Sequence, residues 1–242
     1  MAKIHMLLQG KGGVGKSVAA AFLAQYKLER GHALTCIDTD PVNATFNGYK
    51  ALGVQLLQIM EGDEINPRSF DTLIEMIAAA QGDVVIDNGA SAFVPLSHFV
   101  ISNQVPALLG TMDNQLIIHT VVTGGQALLD TVSGFAQLLG QFREGEAQFV
   151  VWLNPFWGAI EQEGKPFEQM RAYSAYRERV SAIVQLPDLK KETYGRDLAE
   201  MLQARLTFDE ALSQETLTIM TRQRLKIIKG QVFGQLDKAA VL

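Results

Sequence analysis

Cysteine is almost absent. Cys36 is the only one in 242 residues, which excludes an intramolecular disulfide and a cysteine metal cluster. It lies in an apolar run that reads as a buried strand, and a reducing compartment suits it. Histidine is scarce as well: His5, His32, His98 and His119 show no metal-ligand spacing, and no serine, histidine and acid constellation points to hydrolysis through a covalent intermediate. No apolar run reaches the length of a membrane span, and the N-terminus enters a strand without the apolar core of a signal peptide. The expectation is a protein that stays in the cytoplasm. Positive charge is not in excess, with a net charge of −5 and an isoelectric point near 5.4. This argues against a whole surface given to nucleic acid and leaves room for a local basic patch. Repeats, low-complexity tracts and linkers are missing too. Hydrophobic residues at 48% and charged residues at 19% are ordinary for a globular chain, and 242 residues fit one domain with a sizeable core.

What is present begins at Gly10-Lys11-Gly12-Gly13-Val14-Gly15-Lys16-Ser17. The strand-like run 4–9 precedes it and the helix-forming run 18–30 follows. The pattern G-x-x-x-x-G-K-[ST] is met in full, in the strand, loop and helix context that a phosphate-binding loop requires. Glycines let the backbone approach a phosphate and turn its N–H groups inward, and the next helix adds the positive end of its dipole. Lys16 reaches the β- and γ-phosphates, and the Ser17 hydroxyl is placed to ligate Mg²⁺. The bland alternative is a glycine-rich turn without a ligand.

The chain then alternates. Residues 33–38 read as a buried parallel strand ending in Asp38-Thr39-Asp40-Pro41, at the edge where α/β sheets bind ligands. Either aspartate alone would serve as a cap or turn former before Pro41. Residues 54–60 suggest a strand, 70–80 a helix with Phe70, Leu73, Ile74 and Ile77 on one face. The run Asp83-Val84-Val85-Ile86-Asp87 is apolar and β-branched and closes on an aspartate, so Asp87 is a candidate to hold Mg²⁺ through a water. The alternative for Asp87 is a buried carboxylate satisfied by backbone N–H groups. A helix over 94–109 interrupted by Pro106, a strand over 115–122, a helix to about Leu139, a strand over 148–153 and one over 181–186 complete the pattern. It predicts an α/β fold, a doubly wound, mostly parallel sheet with helices on both faces. Residues 193–242 read as helical, in segments 194–206, 208–213 and 216–230. Arg222, Lys226 and Lys229 share one face of the last segment. Such a face touches nonspecific DNA or an acidic membrane, or is a solvated face of a packed helix.

Lys11, directly after the first glycine, narrows the family. Gly-Lys-Gly-Gly-Val-Gly-Lys-Ser resembles the deviant Walker A loop of the ParA/MinD group of ATPases. Asp38-Thr39-Asp40-Pro41-Val42-Asn43-Ala44-Thr45 is similar to that group's second motif, with Val42 where the partition branch has glutamine. The resemblance implies an ATP-binding P-loop fold and slow Mg²⁺-dependent ATP hydrolysis. In it Lys11 crosses a dimer interface to the partner's phosphates, Asp40 orients the attacking water and Asp38 supports the magnesium shell. Asn88-Gly89-Ala90-Ser91 departs from the usual Asp-x-Pro ending. The catalytic candidates are thus Lys11, Lys16 and Asp40; the metal candidates are Ser17, Asp38 and Asp87. The nucleotide contacts are Gly10, Lys11, Gly12, Gly13, Val14, Gly15, Lys16, Ser17 and Val18. Asn154 joins them, since an asparagine at this strand end reads adenine in the family, although Asn-Pro also starts turns. Trp152, Phe156 and Trp157 suit base stacking, and such a cluster is more often core or partner surface.

Segments 37–46, 85–91 and 120–130 also resemble conjugal transfer proteins of broad-host-range plasmids. That implies a bacterial, cytoplasmic role in plasmid transfer, positioning or maintenance, with conjugation or plasmid-partition proteins as partners and an ATP-dependent homodimer as the working form. Association with the nucleoid or the transfer apparatus goes with it, and membrane contact less so. Two other classes fit the same loop: a nucleotide-switched binding protein with negligible turnover, and a small-molecule kinase or synthetase. Lys11 and the Asp-x-Asp-Pro motif argue against the second.

Overall fold

The computed structural model describes all residues from Met1 to Leu242. Its strands are β1 (Ala2–Leu7), β2 (Leu34–Asp38), β3 (Gln55–Leu56), β4 (Met60–Glu61), β5 (Glu64–Ile65), β6 (Asp83–Asp87), β7 (Asn114–Thr123), β8 (Gln148–Asn154), β9 (Glu161–Gln162), β10 (Lys165–Pro166) and β11 (Val180–Gln185). The helices are α1 (Lys16–Glu29), α2 (Ser69–Ala79), α3 (Phe93–Ser102), α4 (Val105–Thr111), α5 (Leu128–Gln141), α6 (Arg171–Tyr176), α7 (Arg196–Gln203), α8 (Phe208–Ser213) and α9 (Ile219–Leu236).

Seven strands form one sheet in the order β11-β8-β7-β1-β6-β2-β3. Every neighbouring pair in it is parallel. Parallel strands need crossovers, and helices supply them on both faces. Ile4, Met6 and Leu8 face one core with Phe70 of α2, Leu96 of α3, Leu109 of α4 and Phe135 of α5. Leu7, Cys36, Val85 and Trp152 face the other, with the alanines 19–21 and 24 of α1 and apolar residues of α7, α8 and α9. Small residues let α1 lie close on the sheet.

Register places the functional edge. Leu7 is level with Asp87, and Asp87 with Asp38. The glycine loop that follows β1 therefore emerges beside two carboxylates, at the carboxyl ends of central strands where order reverses around β1.

Four local expectations change. Residues 54–60 give only the two-residue edge strand β3, and a small hairpin, β4 with β5, follows. The helix break near Pro106 falls earlier, at Gln104, whose φ is 51°. Pro106 sits in the first turn of α4, where its missing N–H costs nothing. The segment 194–206 opens with a π-helical turn at Lys191–Gly195. Helix α9 starts at Ile219 and runs past Gly230 to Leu236, because Val232, Phe233 and Leu236 continue its buried face.

Candidate functional site

The loop between β1 and α1 lines an open cleft of about 580 Å³ with Lys16, Ser17, Val18, Asp40, Val42, Asn43, Thr45, Ala90 and Ser91. Gly13 and Gly15 take φ of 74° and 105°, values that only glycine holds without strain. From Gly12 through Val18 no backbone N–H donates to an acceptor within the chain. A row of free donors at a helix N-terminus is an anion site. Lys16 is 8% exposed, and its Nζ donates to the Lys11 carbonyl at 3.1 Å. Burial pushes its pKa down, while Asp87 and Asp40 pull it back up.

Asp87 is the least satisfied group of the site. It is fully buried, and neither carboxylate oxygen has a hydrogen-bond partner. Burial pushes its pKa up to about 7, with Asp38 and Asp40 adding to the rise and Ser17 and Lys16 opposing it. This disposes of a carboxylate satisfied by backbone donors. An orphaned acid beside a serine hydroxyl and a lysine fits a hard cation that takes its remaining ligands from phosphate and water. No three His, Cys, Asp or Glu side chains converge as a metal cluster of their own. Asp38, buried beside Asp87, is used differently. One oxygen accepts from the Asp40 N–H and the other from the Asn47 N–H, both at 2.8 Å, so it ties down the loop from 39 to 47. Burial raises its pKa, and those N–H groups lower it. Asp40 accepts from the N–H groups of Val42 at 2.9 Å and Asn43 at 3.3 Å, an Asx-type turn at the lip of the cleft.

The loop and Lys16 line one cleft, and the orphaned Asp87 is buried next to them. The profile of the CobQ/CobB/MinD/ParA nucleotide binding domain matches residues 5–154, from β1 to the end of β8. The chain belongs to this family. It is 71% identical over 242 residues to Protein TraL of Escherichia coli, covering 100% of each chain. Among solved structures it resembles the cell division ATPase MinD of Pyrococcus furiosus, with TM-score 0.57, 13% identity, and 99% and 100% of the two chains covered. The MinC:MinD complex of Aquifex aeolicus gives TM-score 0.54 at 13% identity, covering 96% of each chain. At such identity the two structures speak for the fold alone.

Gly10 lies against Phe93, where a Cβ would meet the ring at 3.1 Å. Lys11 does not enter its own cleft, and its Nζ pairs with Asp130 of α5 at 2.7 Å. The Asn154 amide donates to the Val14 carbonyl at 2.9 Å, and its oxygen accepts from the Phe156 N–H at 3.2 Å. Trp152 is fully buried, whereas Phe156 and Trp157 are more than half exposed beside the loop. The basic face of α9 is largely consumed: Arg222 donates to the Gln214 carbonyl, and Lys229 pairs with Glu29 and Asp209, which leaves Lys226 exposed without a partner.

Several residues that the motifs did not single out complete the site. Asn88 joins three strand ends, donating to the Leu7 carbonyl at 3.0 Å and accepting from the Thr39 hydroxyl at 2.8 Å. Gly89 follows because a Cβ there would lie 2.7 Å from an Asp40 oxygen. Gln9 fastens the loop to β7 and α5 through the carbonyls of Val121 and Thr131. The signal for Asn88 was the departure from Asp-x-Pro itself; nothing local in the sequence marks Gln9 or Asp130.

Proposed function

We propose that this chain is a Mg²⁺-dependent ATPase of the ParA/MinD type, acting in conjugative plasmid transfer as an ATP-switched homodimer that positions or maintains plasmid DNA or a transfer complex. The observation that carries the reading is the row of free N–H donors from Gly12 to Val18 set against Lys16 and the orphaned Asp87. The loop amides and Lys16 bind and orient the triphosphate and stabilise charge on its transferring group. Asp40, fixed by two backbone N–H groups, orients the attacking water. Ser17 and Asp87 would hold the Mg²⁺, with Asp38 shaping the loop behind them; the cation, when bound, neutralises charge on the β- and γ-phosphates. Asn154 would read the adenine base, which requires its amide to leave the Val14 carbonyl or its oxygen the Phe156 N–H. Lys11 would serve the neighbouring subunit's nucleotide. The likeness to TraL supports the transfer role, and its partners would be conjugation or plasmid-partition proteins in the bacterial cytoplasm.

Phosphate release from Mg-ATP without any added acceptor tests the activity. Slow turnover is expected for the native chain, with loss of roughly 100-fold or more for Lys16→Ala. For Asp40→Ala, retained ATP binding with at least about tenfold slower release is expected. Calorimetry that finds no Mg-ATP uptake by folded protein overturns the reading. Uptake without release would favour the nucleotide-switched binding protein, and release only with a small-molecule acceptor the kinase.

A further inference from the structure

Two peptide planes of the phosphate loop are held by side chains at the end of β8 and in the turn that follows it. The indole Nε1 of Trp157 donates to the Gly13 carbonyl at 3.3 Å, and the Asn154 amide donates to the Val14 carbonyl at 2.9 Å. In a trans peptide the N–H points opposite the C=O, and no peptide bond of this chain is cis. Fixing the Gly13 carbonyl outward therefore aims the Val14 N–H into the cleft, and fixing the Val14 carbonyl aims that of Gly15. Both N–H groups belong to the row of free donors.

Burial does not explain Trp157, which is 57% exposed although it is one of only two tryptophans in the chain. Its backbone is firmly seated. A Cβ on Gly125 would come within 2.6 Å of the Trp157 carbonyl, and one on Gly124 within 2.2 Å of the Gly158 carbonyl. The neighbouring Phe156 ring stands edge-on at 4.9 Å. A large side chain on an anchored turn, left in solvent with its one polar atom on the phosphate loop, is placed for that atom.

We infer that Trp157 is a positioning residue of the phosphate loop: its indole N–H holds the Gly13–Val14 peptide with the Val14 N–H turned toward bound phosphate. The inference rests on the nucleotide reading above and adds a group outside the motif to it. Without the indole donor this peptide is free to rotate, and one phosphate contact is made only after ordering.

Calorimetry with Mg-ADP and with inorganic pyrophosphate tests it. The samples are the native chain, Trp157→Phe, Phe156→Leu, and the chain carrying the benzothiophene analogue of tryptophan at 157, which keeps the shape and loses the N–H. Removing one such hydrogen bond should weaken both ligands by roughly threefold to tenfold in Trp157→Phe and in the analogue. Phe156→Leu should bind as the native chain does, and the analogue should melt at the native temperature without ligand. Native affinity in the analogue overturns the inference while leaving the nucleotide site in place. An equal loss in Phe156→Leu also overturns it, since an aromatic surface and not the N–H would be at work. If the native chain takes up neither ligand, the nucleotide reading fails and this one with it.

Discussion

The two aspartates of one five-residue strand show how residue identity and role come apart. Asp83 opens β6 and Asp87 closes it, and both are buried. At Asp83 burial raises the pKa, but the Lys27 ammonium at 2.7 Å and the Lys3 N–H at 2.8 Å outweigh it and hold the carboxyl below its ordinary range. At Asp87 nothing closes a hydrogen bond, and the pKa rises to about 7. The folded state thus keeps a proton on Asp87 that the unfolded chain has already released, so this group's contribution to stability falls as pH rises from about 4 to about 7. A site that stores an unpaired charge is less stable than its neutral isostere. Asp87→Asn is expected to stabilise the ligand-free protein by about 1–3 kcal/mol at pH 8, while Mg²⁺-dependent ATP turnover is lost. Thermal melts at pH 8 with and without Mg-ATP check it, at about 2–4 °C per kcal/mol for a chain of this size. A variant that melts lower than the native chain would mean that Asp87 has a partner after all.

At the scale of elements, the strands that could be read from the sequence are those buried on both faces. β6 is wholly buried and its apolar, β-branched composition announces it. Residues 54–60 read as one longer strand and the hairpin after it is not legible, because two-residue strands are too short to carry a period; α9 reads short because Gly230 looks like a terminator when only local sequence is weighed. The backbone part of the site was legible as well, since glycine spacing is a local signal. The side chains that brace it were not: Gln9 reaches Thr131, Asn88 reaches Leu7, and Trp157 reaches Gly13, all pairings made by the sheet order.

The same holds for a polar chain across β1, β7 and β8. Trp152 donates to His119 Nδ1 at 2.9 Å, so His119 carries its proton on Nε2 and donates to His5 Nδ1 at 2.9 Å. His5 then keeps its proton on Nε2, which has no partner. A further proton on either ring sets two donors face to face. Burial accordingly lowers both pKa values, that of His119 to about 3. Unfolded histidines take up protons near pH 6.5, so stability is lost as pH falls below that value. The loss reaches up to about 2 kcal/mol per histidine at pH 5. Asp87 works the other way over the same window and masks part of it. Denaturant titrations from pH 7 to pH 5 should therefore show a steeper loss in Asp87→Asn than in the native chain; parallel curves would refute the assignment.

For the whole molecule, the proposed dimer depends on where Lys11 is held in the single chain. Lys11 is paired in cis with Asp130, and both side chains are about half exposed, 46% and 56%. An ion pair in such surroundings is worth about 0.2–1 kcal/mol. If Lys11 serves the partner's phosphates, each protomer must release it first, and a symmetric dimer meets that cost twice. The penalty on association is then about 0.4–2 kcal/mol, or roughly twofold to thirtyfold in the dimer dissociation constant. Asp130→Ala should tighten the ATP-dependent dimer by that factor, and Lys11→Ala should abolish it. Because hydrolysis would blur the equilibrium, the measurement belongs in the Asp40→Ala background, by sedimentation equilibrium across protein concentration with saturating Mg-ATP. It should be repeated at higher salt, which screens an exposed pair and narrows the gap between the Asp130→Ala chain and its parent. A dimer constant that ignores Asp130 at every salt would show that the cis pair does not compete with assembly, and a Lys11→Ala chain that still dimerises would remove the lysine from the interface.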